Sequence, residues 1–183
     1  MKKYLLMGGY NGDTLFDFVA WSGGKYKKVY VFEPMSDMFQ TIKKNVIKKH
    51  FIDVELYNNA LWNKKEDLLF TEAKAGSYVT EKGKSIVKGI SLDEIVKDEK
   101  VTYIKMDIEG SELNALKGAE NTIRNSKPRL AICIYHKPED ILELPLYILG
   151  LVPEYKFYIR HYCSCIWETV LYAEISKRQD IEK

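Results

Sequence analysis

The sequence predicts an α/β domain built on a mostly parallel sheet, and three observations predict it. First, the β-branched, apolar run from Val101 to Met106 ends in Asp107, Glu109 and Glu112 set around Gly110, and a helical pattern of Leu113, Leu116, Ala119 and Ile123 follows at once. Strand, acidic turn, helix is the unit from which open α/β sheets build sites at the carboxyl ends of their strands. Second, strand patterns alternate with helical ones along most of the chain. Third, the last two strand patterns are joined by a short turn. They read as a hairpin that leaves one antiparallel strand at or near the sheet edge.

Taken in order, Tyr4 to Met7 is a short buried strand, and Gly8, Gly9 and Gly12 form a glycine turn. Leu15, Phe16, Val19 and Ala20 then share one helical face. A glycine turn at this place lets the backbone approach a ligand, and the helix start offers free N–H groups. The spacing is not G-x-G-x-x-G, so a nicotinamide or flavin reading loses its main support. Val29 to Phe32 is the second strand and ends in Glu33-Pro34. A carboxylate about 20 residues beyond a glycine turn is where a nucleotide ribose finds its partner; the plainer reading is a strand-end Glu before a helix-starting Pro. Residues 35–50 are amphipathic, with Met38, Phe39, Ile42 and Val46 inward. Val54 to Tyr57 is a third strand, closed by Asn58 to Trp62. Residues 68–70 and 85–90 read as short strands around a polar loop, and Ser91-Leu-Asp-Glu94 is a capping box. Glu112 reads as a first-turn acid favoured by the helix dipole, whereas Asp107 lies inside the edge of its apolar run. Arg129 to His136 is a strand with a polar end. The helical stretch 138–149 is interrupted by Pro145 and stopped near Gly150. Residues 155–161 and 168–173 make the hairpin, with its turn at Cys163 to Trp167, and 176–183 are expected to fray.

A chain of 183 residues, 46% hydrophobic and 30% charged, suits a single domain spanning 1–183 with its core at about 4–175. A net charge of +2 does not suggest nucleic acid, and the lysines crowding the first quarter read as solvated faces. Three cysteines give no disulfide framework, and Cys133 is expected to be buried. His161, Cys163 and Cys165 imitate a metal cluster but lack a second ligand pair, and strand alternation explains their spacing, so no metal is expected. The first residues are too short of apolar length for a signal peptide, and no later run approaches a membrane span. A cytoplasmic location is therefore expected.

Four motifs carry a resemblance: Ile104-Lys-Met-Asp-Ile-Glu-Gly-Ser-Glu112, Leu116-Lys-Gly-Ala119, Leu130 to Tyr135-His136, and the tail Tyr158-Ile-Arg-His-Tyr162 with Glu168-Thr-Val-Leu-Tyr172. From Tyr4 to Ala173 the chain resembles the FkbM-type class I S-adenosylmethionine-dependent methyltransferases. The resemblance implies a Rossmann-like sheet of seven strands in the order 3-2-1-4-5-7-6, with strand 7 antiparallel and helices on both faces. It implies S-adenosylmethionine across the carboxyl ends of strands 1 to 4. Gly8, Gly9 and Gly12 would border its methionine and ribose, Glu33 would hold the ribose hydroxyls, and Asn59 and Ala60 would flank adenine. Asp107 would lie near the methionine amino group or the transferred methyl. Two departures stand out. The family's acidic residue two positions before the first glycine is replaced here by Leu6, which leaves Asp13 or Asp107 to compensate, and only three residues precede the first strand.

The implied activity is methyl transfer, with oxygen of a small-molecule or glycan-like acceptor as the nucleophile. Such a reaction needs alignment, exclusion of water and, for a hydroxyl, a general base. His136 is the first candidate because its ordinary pKa lies near neutrality, followed by Asp107 and Glu109; the plainer role for His136 is to cap the next helix. Tyr78, Tyr135, Tyr158 and the loop 74–84 would set acceptor specificity. The competing reading is a catalytically degenerate binding module that needs a partner. A homodimer is one oligomeric state the sequence allows.

Overall fold

The computed structural model describes residues 4–6, 12–71, 76–80 and 82–175. Gly8 and Gly9 lie outside the described residues. The main sheet contains β1 (Tyr4–Leu6), β2 (Val29–Phe32), β3 (Val54–Tyr57), β8 (Tyr103–Met106), β9 (Arg129–Cys133), β10 (Tyr155–His161) and β11 (Thr169–Ile175). Their order is β3-β2-β1-β8-β9-β11-β10, which reads 3-2-1-4-5-7-6 when these strands alone are counted along the chain. β11 runs antiparallel to both neighbours, and every other pairing is parallel.

Helices cover both faces. Alternation along β2 divides the core: Val29 and Val31 pack with Leu15 and Phe18 of α1 (Asp13–Ser22) and Ile42 of α2 (Ser36–Lys48). Tyr30 and Phe32 point the other way, into the larger core. That core is closed by α3 (Leu92–Val96), α4 (Glu112–Lys117), α5 (Glu120–Ser126) and α6 (Asp140–Leu151). The capping box is formed: Oγ of Ser91 accepts from the Glu94 N–H at 3.2 Å.

Several expectations are corrected. A second sheet, β4-β7-β5-β6, is built from β4 (Ala60–Leu61), β5 (Glu66–Thr71), β6 (Tyr78–Val79) and β7 (Ser85–Ile90). The two-residue strands β4 and β6 are too short to leave a sequence pattern. The helical stretch after Glu112 is two helices, α4 and α5, which meet at Gly118 and Ala119. α6 runs through Pro145 without interruption and ends at Leu151, near Gly150 as expected. Pro145 forgoes a bond to the carbonyl of Ile141, a residue on the exposed side of the helix. Cys163 and Cys165 are joined in a disulfide at the hairpin turn, their Cα atoms 5.3 Å apart; the chain bends there, so strand alternation does not govern them. Cys133 is buried and free.

Gly118 shows why the Leu116-Lys-Gly-Ala119 motif has a glycine. A Cβ on it would sit 1.9 Å from the carbonyl oxygen of Trp62, a backbone atom with no rotamer to yield. Gly118→Ala is therefore expected to destabilise the fold by about 2 kcal/mol, read as a lower urea midpoint. An unchanged midpoint would mean that the second sheet does not pack against this turn.

Candidate functional site

The parallel strands of the main sheet bring their carboxyl ends to one side, and a cavity of about 730 Å³ opens there. Its wall comes from the start of α1 (Asp13, Thr14), the end of β2 (Phe32 to Met35), Met38 of α2, and Asn59 to Leu61. Phe70 and Val79 join it from the second sheet, Gly76 and Ser77 from just before β6, and Asp107, Ile108, Glu109, Ser111 and Tyr135 from the turns after β8 and β9. A second cavity of about 710 Å³, between α1 and the strands β8, β9 and β11, shares Thr14 with the first and is lined by Lys105.

Glu33 is the first residue past β2 and is 6% exposed. Its N–H donates to the Tyr57 carbonyl at 3.0 Å, its carbonyl accepts from Nδ2 of Asn58 at 2.8 Å, and Oε1 accepts from the Met35 N–H at 2.8 Å. The carboxylate is thereby held in one orientation at the strand end. Asn59 and Ala60, expected beside adenine, line the cavity, and Nδ2 of Asn59 donates to the Lys88 carbonyl at 3.2 Å. Gly12 precedes α1 in the left-handed region, with φ of 91°, where a side chain would be strained. Gly12 is not on the cavity wall, but its neighbour Asp13 is.

Asp107 is gripped at both oxygens. Oη of Tyr135 donates to Oδ1 at 3.0 Å, and Nζ of Lys105 reaches Oδ2 at 3.4 Å. Burial works against its charged form, but Lys105, Cys133, Tyr135 and His136 outweigh it and hold the carboxyl below the usual carboxylate range. Glu109 differs in environment. It adopts a φ of 55° beside Gly110, and its carboxyl lies above the usual range: burial raises it, Asp107 and Glu112 add to this, and His136 opposes.

His136 sits behind these carboxylates, not among them on the wall. Its side chain is 5% exposed, and Nε2 is 3.5 Å from both Asp107 Oδ1 and Glu109 Oε2. Nδ1 is 3.0 Å from Glu112 Oε1. That contact falls outside hydrogen-bond alignment, so its attraction is that of an ion pair. Glu112 has a larger role than a first-turn acid: it is buried, and Oε1 also accepts from the Ile108 N–H at 2.9 Å, which fixes the acidic turn. Burial disfavours the imidazolium, but Glu112, Glu109 and Asp107 overcome this and raise the pKa of His136 above its ordinary 6.5. The ion pair then stabilises the fold fully below about pH 6.5 and is lost as pH rises through the raised value. His136→Gln is expected to cost about 1–3 kcal/mol at pH 6 and less at pH 9, measured by urea unfolding at both. A gap that stays constant with pH would rule out the imidazolium.

Tyr135 is on the wall as expected, whereas Tyr78 and Tyr158 are not. Tyr78 alternates away from its wall neighbours Ser77 and Val79, and Tyr158 belongs to the edge strand β10. Sequence reasoning missed Lys105, whose alternation partner Tyr103 gives no hint of an ion pair, and took Met38 for core only. Every ionisable residue on the described wall apart from Tyr135 is a carboxylate: Asp13, Glu33, Asp107 and Glu109.

The model of the methyltransferase FkbM domain matches residues 7–159. Among solved structures, a methyltransferase FkbM from Methylobacillus flagellatus KT is 29% identical, with a TM-score of 0.80. The match covers 94% of this chain but 43% of that one, so this chain spans less than half of that relative. An rRNA methylase from Streptococcus thermophilus, at 15% identity and a TM-score of 0.58, is covered over 89% of its length and matches 96% of this chain. A Streptococcus mutans protein solved in complex with SAH is 14% identical, with a TM-score of 0.57, over 95% of this chain and 90% of its own. At these identities the last two show the α/β fold of class I methyltransferases. A search of curated proteins found no match.

Proposed function

This chain belongs to the FkbM methyltransferase family, and on that premise we propose that it transfers a methyl group from S-adenosylmethionine to an oxygen of a small-molecule or glycan-like acceptor. One observation carries the cofactor reading: the described cavity wall holds four carboxylates and no Lys or Arg. Such a wall attracts a sulfonium and an α-ammonium and repels the pyrophosphate of a dinucleotide. S-adenosylmethionine, when bound, supplies an electrophilic methyl whose sulfur loses its positive charge on transfer.

In this reading Glu33 accepts from both ribose hydroxyls, and Asn59 and Ala60 border adenine against Phe32 and Leu61. Asp13, which follows Gly12 and lines the cavity, borders the methionine portion. Asp107, kept ionised, receives the ammonium, in part replacing the carboxylate missing at Leu6. Glu109 takes the acceptor's proton, because its raised pKa makes it a better base than Asp107 and it lines the cavity. His136 is a positioning residue. It neutralises the carboxylate cluster from behind and reaches no substrate atom.

Calorimetric titration with S-adenosylhomocysteine tests this. Binding is the expected result; no heat from folded protein would favour the second reading, a binding module in the same fold, which Leu6 supports. Among the described residues no helix is long and apolar enough to cross a membrane. A cytoplasmic location is part of the proposal, and there Cys163 and Cys165 would stand as thiols.

A further inference from the structure

We propose that the tip of the β10–β11 hairpin is an acceptor-binding arm, with Trp167 as the platform for an uncharged saccharide ring. The inference rests on the methyltransferase reading and narrows its acceptor. Three large residues at this tip are left in water: Tyr162 is 52%, Ile166 77% and Trp167 53% exposed. Exposed singly, such residues need no explanation; grouped in one turn, with Trp167 against a ring that lines the cavity, they mark a binding surface.

The tip is joined to the site by side-chain contacts. The Trp167 ring meets Tyr135 edge-on, with centroids 6.0 Å apart and planes at 77°. Tyr135 lines the cavity, and its hydroxyl donates to Asp107 at 3.0 Å. A path of two aromatic rings thus leads from the hairpin to the carboxylates. The arm is also held in place. The Ile134 N–H donates to the Thr169 carbonyl at 3.0 Å, and the Tyr162 N–H donates to the Glu168 carbonyl at 3.1 Å.

The chemistry selects the ligand. A pyranose ring offers an apolar C–H face, which an indole covers, and hydroxyls, which carboxylates accept. A phosphate or uronate entering the cavity would meet Asp107 and Glu109 and be repelled. An acceptor without an apolar face would leave the exposed ring unused.

The test is calorimetry on the full chain, with and without S-adenosylhomocysteine. The probes are neutral trisaccharides of glucose, mannose and N-acetylglucosamine and, as anionic control, a galacturonate trimer. At least one neutral trisaccharide should bind and the galacturonate should not. Trp167→Ala should weaken that binding by about tenfold, the worth of one stacking contact, with S-adenosylhomocysteine affinity unchanged. Trp167→Phe, which keeps a ring, should lose less than Trp167→Leu, and this pair still decides if the alanine variant fails to fold. No neutral saccharide binding, preference for the galacturonate, or equal binding by the leucine variant overturns the proposal. Failure of S-adenosylhomocysteine to bind the wild type strikes the cofactor reading instead, because saccharide binding is also measured without it.

Discussion

Glu33→Ala is expected to weaken S-adenosylhomocysteine binding by about 100-fold. Two hydroxyl hydrogen bonds to one charged carboxylate, at about 1.5 kcal/mol each, sum to ~3 kcal/mol, which is on the order of 100-fold. The variant also removes the acceptor of the Met35 N–H, so some loss could come from a loosened turn. Glu33→Gln separates the two effects. Its amide oxygen still accepts from Met35 but no longer carries the charge that strengthens the ribose contacts. About tenfold weakening by Gln, between wild type and Ala, assigns the effect to the ligand. Equal weakening by both would leave only the charge. Wild-type affinity in Glu33→Ala would remove the ribose assignment altogether. The melting temperature of each variant reports the turn independently.

The parts of this site differ in how far the sequence exposes them, and the reason is the range of the interactions that place them. Glu33 and Asp107 were legible because strand ends are local: an apolar run stops, and the next polar residue faces the mouth of a parallel sheet. The order of the main sheet is less local and came through whole-chain resemblance, since pairing between β1 and β8 spans about a hundred residues that no periodicity connects. The buried setting of His136 was not legible. It depends on the end of β9 meeting the start of α4, where Glu112 takes Nδ1 of His136 and turns a free histidine into a buried counter-ion. The break at Gly118 was hidden for a similar reason. The glycine is demanded by the carbonyl of Trp62, far away in sequence, while the apolar spacing from Leu113 to Ile123 runs on undisturbed. The disulfide escaped because alternation was assumed through a turn.

Those long-range contacts set the second large effect. Glu109→Gln is expected to lower methyl transfer by about 10²–10⁴-fold, the range for loss of a general base, without changing S-adenosylhomocysteine affinity. The geometry favours Glu109 over its neighbours. It lines the cavity, whereas His136 does not, and it lies close to the open backbone of Gly76, where a Cβ would come within 3.4 Å of Oε2. Its pKa is raised, so its proton affinity suits a base better than that of Asp107, which Lys105 and Tyr135 hold ionised. The sign of the pH effect follows. Only ionised Glu109 accepts a proton, so transfer should rise with pH through its raised pKa and then level off. His136 opposes that rise in pKa, so His136→Gln should move the acid limb to higher pH while leaving the plateau. A merely structural role for His136 would lower the plateau and leave the limb in place. Label transfer from S-adenosylmethionine to the trisaccharide panel, followed across pH for wild type and both variants, measures all of this. Full activity in Glu109→Gln with an unmoved limb would pass the role of base to Asp107, and Asp107→Asn would then lose transfer and cofactor affinity together.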